Sequence, residues 1–547
     1  MRTGGALVCV LFGSVALASP AAAGRSGEHG GLPHREGPAR ADRYRTAPGT
    51  ALSVPGGGVL RNDRGGLSAV VAHGRTAHGT VQVQPDGSFT YRPEPGFAGT
   101  DRFTYTATDA VRLFRTGLAP LAIVDGVPVT AGAFGSSIAR VPGRPGLLYG
   151  LTDRGPNVDH PSGVKVEPLP EYTPRIGRFR LVGGRAVLER QIPLRDADGV
   201  GFNGGLNCGA VTGETVTDLQ GRTLPCSARG YDTEGLVALP DGSFWVSDEY
   251  GPFLLHLDRT GRLIERLSPF EGSLPRELSH RTPNQGMEGL TLTPDGRTLV
   301  GVMQSALSQP DLTVRSASVP IVRIVTVDLP TRALREYLYL LDDPQRNLNG
   351  VSEITAMSNT EFLVVERGRT LPPESAALRS AAPFKRVFRI DLNGATDVGP
   401  RAKVPAARYD ALSGGLLVPP DRRSLEARVG AADPATATAA LADVRIAPVS
   451  KKLVVDLQEL IETLDLTGGF FGHDKIEGIV TPDRGKTLVI ANDSDFGIVG
   501  SPDGTWPFRL LPKVLPDGRQ DDGEFLVVRL DRLPARTSTA TVMIDVS

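Results

Sequence analysis

The chain has 547 residues, too many for one compact unit, so two or more domains are expected. Hydrophobic residues make up 40% and charged residues 22%, a globular balance, and a formal net charge of -1 gives no electrostatic pull toward nucleic acid or an acidic membrane. The 65 glycines and 44 prolines exclude an architecture of long helices and point to many turns.

At the N-terminus, Arg2 precedes an apolar run from Ala6 to Ala18, with small residues at Ala16/Ala18 and Ala21/Ala23. This pattern predicts a secretory signal over residues 1–23, and the run is too short to span a bilayer. Val8 before Cys9 is a poor lipobox residue, so no lipid anchor is expected. The mature protein is therefore expected outside the cell, released or held at the surface, without membrane insertion. Residues 24–45 are rich in Gly, Pro, His and Arg, lack apolar periodicity, and read as a disordered linker. From 46 to 110 the chain alternates: Val81 to Tyr91 forms a hairpin around Asp86-Gly87, and Phe103 to Thr108 forms another strand. A small β-sandwich is expected there.

From 111 to 547 one pattern recurs. An acidic residue opens a strand, a tight turn follows, and a second strand ends in polar residues. The pattern starts at Glu234-Gly-Leu, Glu288-Gly-Leu, Glu353-Ile-Thr and Glu477-Gly-Ile, with a divergent fifth copy at Gly135-Ser-Ser-Ile leading to Asp153-Arg154. Repeated hairpins at this spacing predict an all-β chain, a β-propeller of about six blades with five to seven possible. The gap between Glu353 and Glu477 leaves room for one more blade. Residues 165–230 read as an insertion carrying Cys208 and Cys226. Two cysteines in an exported chain are expected to pair, closing a loop of the order of twenty residues worth about 3 kcal/mol. An Ala-rich stretch over 426–442 is expected to hold a short helix.

Folding each hairpin about its turn brings the polar ends together: Glu234 with Asp248, Glu353 with Glu366, Glu477 with residues 491–493, and Ser136 with Asp153. In a propeller these pairs ring one opening. Clustered carboxylates repel unless a cation neutralises them, and oxygen ligands on an exported chain favour calcium. The candidate ligands are Glu234, Asp248, Glu249, Glu288, Glu353, Glu366, Glu477, Asp493 and Asp495. Arg154, Arg367 and Lys475 fall on the same face and suit a phosphate oxygen; with Glu234 and Glu288 they are the catalytic candidates. His473 and His280 are the nearby histidines, which argues against zinc. No Gly-x-Ser-x-Gly elbow is present, which argues against a serine esterase. The competing structural reading has the recurring Glu bonding neighbouring blades and the strand ends forming a solvated rim.

Two stretches resemble known families. Val59-Leu-Arg-Asn-Asp63, Ala77-His-Gly-Thr80 and Gly96-Phe-Ala-Gly-Thr-Asp-Arg-Phe-Thr-Tyr105 resemble bacterial cadherin-like, immunoglobulin-like domains. Some of these bind calcium, for which Asp63, Asp101 and Asp109 are candidates beside a reading as solvated turn carboxylates. Tyr231-Asp-Thr-Glu-Gly-Leu236, Val246-Ser-Asp-Glu-Tyr-Gly-Pro252, Met287-Glu-Gly-Leu290, Leu363-Val-Val-Glu-Arg367, Lys475-Ile-Glu-Gly-Ile479 and Asn492-Asp-Ser-Asp-Phe-Gly497 resemble the phytase-like family, labelled "esterase-like activity of phytase". Thr233 and Ser494 depart from its usual Pro and Asn. The resemblance implies a propeller and, through β-propeller phytases, a calcium-assisted hydrolase of a small phosphorylated ester, with a water activated by the cation as nucleophile. Two alternatives stand beside it: a carboxylic-ester or lactone hydrolase using the same acidic face, and a non-catalytic extracellular binding module.

Overall fold

The computed structural model describes residues 37–547 apart from 211, 369–383, 466 and 468. The expected signal peptide and residues 24–36 of the expected linker lie outside the described residues. Residues 42–45, assigned to that linker from sequence, are instead part of a strand, Asp42–Thr46.

Five four-stranded blades surround a channel. Their innermost strands are Ser137–Arg140, Thr233–Ala238, Met287–Leu292, Gly350–Ala356 and Ile476–Val480. Each packs against the next, and the fifth returns to the first. The count lies at the low end of the expected range because the described residues between Glu353 and Glu477 form no extra blade. That interval holds the outer strands of the fourth blade, Lys385–Asp391 and Ser450–Asp456, and helices Leu425–Val429, Pro434–Ala442 and Leu457–Leu464. The expected insertion over 165–230 likewise contributes Arg175–Val182 and Arg185–Pro193, the outer pair of the first blade. The Cys208–Cys226 disulfide lies in the connection from Pro193 to Thr233, between the first blade and the second.

The ring is closed by a strand from elsewhere. Val111–Arg115 is the outermost strand of the fifth blade, paired with Glu524–Arg529. The sandwich also borrows. Thr537–Val546, expected to belong to the propeller, lies between Asp42–Thr46 and Gly99–Thr108 in a sandwich sheet. Its Val542, Ile544 and Val546 are buried with Phe89, Tyr91, Phe103 and Tyr105. The boundary at residue 111 therefore stands as a chain position, while the last strand belongs to the first domain. In that sandwich Asp101 is not a solvated turn group. It is buried and accepts hydrogen bonds from Tyr91 Oη (2.9 Å) and the amides of Ala77 and His78 (3.0 Å each). Burial would raise its pKa; these bonds outweigh burial and hold it below the usual value.

The Glu-Gly pair that marks the repeats has a packing cause. A Cβ on Gly235 would lie 2.5 Å from Leu290 Cβ, and one on Gly289 would lie 2.7 Å from Ile354 N. Neighbouring inner strands approach too closely there for any side chain. A β-bulge occurs with it in three blades, between Thr233 and Leu236, Met287 and Gly289, and Ile476 and Ile479, and a fourth, without the pair, lies between Val351 and Glu353. In the three blades with the Glu-Gly pair the extra residue re-aims the acidic side chain toward the channel.

Candidate active site at the channel mouth

The bulged positions and the ends of the second strands meet in a cavity of about 420 Å³, within the range of small-molecule sites. Glu234, Glu288 and Glu477 enter it from the bulges of three inner strands. Asp153, Glu249, Gln304, Arg367 and Asp493 enter it from the ends of the five second strands. Arg154, Asp232, Lys475 and Asp495 complete the floor and walls, and Asp159 and Lys165 stand at the side. Nine carboxylates and four cations thus line one cavity, with no Ser, Thr, Cys or His among the described lining residues.

Strand alternation explains which expected ligands are elsewhere. Asp248 and Glu366 each precede a cavity residue, and successive residues point to opposite sides. Asp248 turns away, accepting from Asp232 N (2.7 Å) and from Gly251 N. Its pKa rises to about 7, chiefly through burial. Glu366 is bound by Tyr339, Lys451, Asn349 Nδ2 (2.6 Å) and Asp342 N (3.1 Å). Glu353 departs for another reason. The bulge in its blade falls on Ser352, so Glu353 occupies the place of Gly289 rather than that of Glu288. One residue of slip sends its side chain between blades. There it accepts from Ser137 Oγ, Leu290 N (3.1 Å) and its neighbour Ile354 N (2.9 Å). All three are structural groups outside the cavity. Of the three, Glu353 is the recurring Glu for which the interblade reading holds, through Ser137 of the first blade and Leu290 of the third.

The remaining candidates form two neighbourhoods. In the first, Asp232, Glu234 and Glu249 each offer an oxygen, all within 4.8 Å of one another. Burial, then Asp232, Glu288, Glu477 and Glu249, push Glu234 well above its usual pKa. Asp153 is raised by burial, Asp493 and Asp232. Gln304 Nε2 bridges Glu249 (2.7 Å) and Glu288 (2.9 Å). Arg154 is fixed by Tyr250 Oη (2.6 Å) and Asn157 Oδ1 (2.9 Å), with Asp232 at 3.7 Å.

In the second neighbourhood Arg367 pairs with Glu477 and stands 3.6 Å from Glu288. Burial pushes Glu477 up to about 8 against the pull of Arg367. Lys475 pairs with Asp493 (3.0 Å) and Asp495 (2.5 Å). Asp495, expected as a ligand, has its other oxygen on Lys513 (2.6 Å). Against the cost of burial the two lysines hold it well below the usual carboxylate range, so it anchors lysines in this arrangement. His473 is also structural, buried between Asp521 (2.9 Å) and Glu524 (3.1 Å). Asp232 and Gln304 were not among the sequence candidates. Asp232 lies in the quoted Tyr231-Asp-Thr-Glu motif, whereas Gln304 breaks the acidic pattern and had no signal.

The carboxylate triad fits a hard cation. Its donors are all oxygen and they converge, and burial, then the neighbouring carboxylates, raise Glu234. Asp232, Glu234 and Glu249 are the residues placed to hold such an ion.

The chain is similar to several known proteins. A curated relative, an uncharacterized secreted protein of Arthroderma benhamiae, is 28% identical over 250 residues, 35% of this chain and 48% of the relative, so the match spans about half of that protein's length. Among solved structures, a protein from Lactobacillus plantarum is 10% identical, covers 76% of this chain and 99% of its own, and has a TM-score of 0.31. A catalytically inactive virginiamycin B lyase from Staphylococcus aureus with quinupristin gives 10%, 76%, 99% and 0.27. The sequence model for a bacterial Ig domain matches residues 36–119, over the sandwich. The model described as "Esterase-like activity of phytase" matches residues 130–496, more than half of the chain and every inner strand of the propeller, and the chain belongs to this phytase-like family.

Proposed function

We propose that the channel mouth hydrolyses phosphate monoesters with the help of calcium, on an exported protein. The observation that carries this reading is the pairing, in one cavity, of a convergent carboxylate triad with Arg154, Arg367 and Lys475. When bound at Asp232, Glu234 and Glu249, the ion would supply positive charge that offsets the acids, attracts an anionic ester and lowers the pKa of a water.

The chain's own groups supply the rest. Arg367 is held by Glu477 and Glu288, and Lys475 by Asp493 and Asp495, so both present N–H donors to non-bridging phosphate oxygens without reorganising. Arg154, fixed by Tyr250 and Asn157, adds a third positive charge to the same cavity. Glu477, whose pKa burial raises, is the cavity carboxyl suited to pass a proton to the leaving oxygen. In the reaction a water oxygen bonds to phosphorus, the phosphorus–oxygen bond to the alcohol breaks, and a proton ends on that alcohol.

The family's description and the secreted relative support hydrolysis and export. Among the described residues no helix is long and apolar enough to cross a membrane. The excess of carboxylates over cations favours a second reading, in which the same ion polarises the carbonyl of a neutral carboxylic ester or lactone. Phosphate release by the purified protein from phytate and simple monoesters, with calcium or with chelator, tests the first. Calcium-dependent release abolished in Glu234→Gln is the expected result. No release from folded protein would refute it and leave the ester or lactone reading and the non-catalytic binding face.

A further inference from the structure

Gln304 and Arg367 line two cavities. Beside the charged one lies a second, of about 270 Å³, that shares these two residues. Its character is different. Ala317, Val319, Leu341, Pro344, Leu348 and Val351 line it, and Arg367 is the one charged residue among its described walls. Of its polar residues, Ser305 Oγ donates to Gln285 Oε1 (2.8 Å), and Asn349 Nδ2 donates to Glu366 (2.6 Å) while Asn349 Oδ1 is buried without a hydrogen-bond partner.

Two local features hold this space open. A Cβ on Gly350 would lie 2.9 Å from Gln304 O and 3.2 Å from Gln304 Cγ, so glycine lets the fourth blade press against the shared wall. Leu348, 49% exposed, has φ 49, a left-handed conformation that is costly for leucine. It directly follows the single-turn helix Pro344–Asn347, whose cap is the Asp343 side chain. A strained, half-exposed leucine beside buried Val319, Leu341 and Val351 leaves apolar surface in water that a ligand would cover.

We propose that this second cavity receives an aryl or short alkyl group of the ester whose oxygens meet Arg367. The substrate is then an amphiphilic monoester, charged at one end and apolar at the other, and not a polyol carrying many phosphates. The inference rests on the ester-hydrolase reading and names the leaving group for it. A molecule spanning both cavities satisfies both walls at once; a phytate-like polyanion would place charge against the apolar one.

The test separates binding from turnover. Affinities for 1-naphthylmethylphosphonate and for methylphosphonate are measured by calorimetry with calcium present, for the full chain and for Ala317→Trp and Leu348→Asp. Both positions are exposed, and an unchanged melting temperature confirms folding. Phosphate release from 1-naphthyl phosphate, glycerol 2-phosphate and phytate is measured in parallel. The expected result is at least tenfold tighter binding of the naphthyl compound. Both variants should lose that preference while keeping methylphosphonate affinity. Equal affinity for the two phosphonates, absence of binding of either, or a preference that survives both substitutions overturns the proposal. If the preference and its loss are seen but no phosphate is released, the apolar subsite stands and the phosphatase reading falls. If all three esters release phosphate equally well, the reverse holds.

Discussion

Gly289→Ala tests the link between blade packing and the site. The added methyl would sit 2.7 Å from Ile354 N and 2.8 Å from Glu353 Cα, both backbone atoms that cannot rotate away. Ordinary contact needs about 3.5 Å or more, so the third and fourth inner strands must separate by about 0.7–0.8 Å. Overpacking of this kind costs about 1–3 kcal/mol. Stretching the 3.1 Å bond from Leu290 N to Glu353 adds about 1 kcal/mol. A total of about 2–4 kcal/mol should lower the melting temperature by several degrees. Glu288 precedes the glycine and bonds Gln304 at 2.9 Å, so the same displacement disturbs the cavity. Misplacement near 1 Å can cost about a hundredfold in turnover. The assay is calorimetric melting beside phosphate release, with Gly205→Ala as control, where the nearest atom to the new Cβ is Asn203 Oδ1 at 3.4 Å. If Gly289→Ala melts like the control, the close approach of the blades does not explain the repeated Glu-Gly.

Three further outcomes rest on the same geometry. Because burial and neighbouring acids raise Glu234, calcium must displace protons. Its affinity should therefore rise with pH, and calorimetry in two buffers of different ionisation enthalpy should detect proton release; identical heats would refute this. His473 is raised from 6.5 to about 9 by Asp521 and Glu524 against the cost of burial. Its contribution, about 3 kcal/mol, is fully present below pH 6.5 and lost as pH rises through 9. His473→Gln should flatten that alkaline loss in a pH series of melting temperatures, and an unchanged slope would count against the pairing. Removal of residues 537–547 should loosen the sandwich, read as faster amide exchange in Gly99–Thr108, because it strips that strand of one of its two partners, the other being Ala69–His73; protection equal to the full chain would refute the shared sheet.

The fold was readable from sequence where a local rule sufficed. Acidic openings, Pro-Asp-Gly turns and apolar alternation locate four of the five inner hairpins, and the pairing of Cys208 with Cys226 followed from the compartment. The blade count needed information that hairpins do not carry. Val111–Arg115 completes the fifth blade although hundreds of residues separate it from Glu524–Arg529, and Thr537–Val546 crosses back into the first domain. Such pairings depend on edges left open at the end of folding, and no pattern within either strand names its partner.

The site shows the same division at the scale of one residue. The recurring acid was visible, and for Glu234, Glu288 and Glu477 it leads into the cavity. At Glu353 the same letter stands one place later relative to the bulge, and its carboxylate secures the interblade contact instead. Asp248 and Glu249 are adjacent acids at one strand end, yet alternation gives one to the backbone of Asp232 and the other to the cavity. Composition therefore predicts that an acidic ring exists, whereas the bulge and the alternation decide its members. Gln304 and Arg367 make the point from the other direction. They occupy the strand-end positions where the second and fifth blades carry Glu249 and Asp493, and they break the ring of charge next to the apolar cavity. A uniformly acidic ring would bind cations without preference for what accompanies them. Replacing two members with a neutral amide and a guanidinium gives the ring a direction, with convergent carboxylate oxygens at Asp232, Glu234 and Glu249 on one side and the Arg367 guanidinium, beside the apolar cavity, on the other.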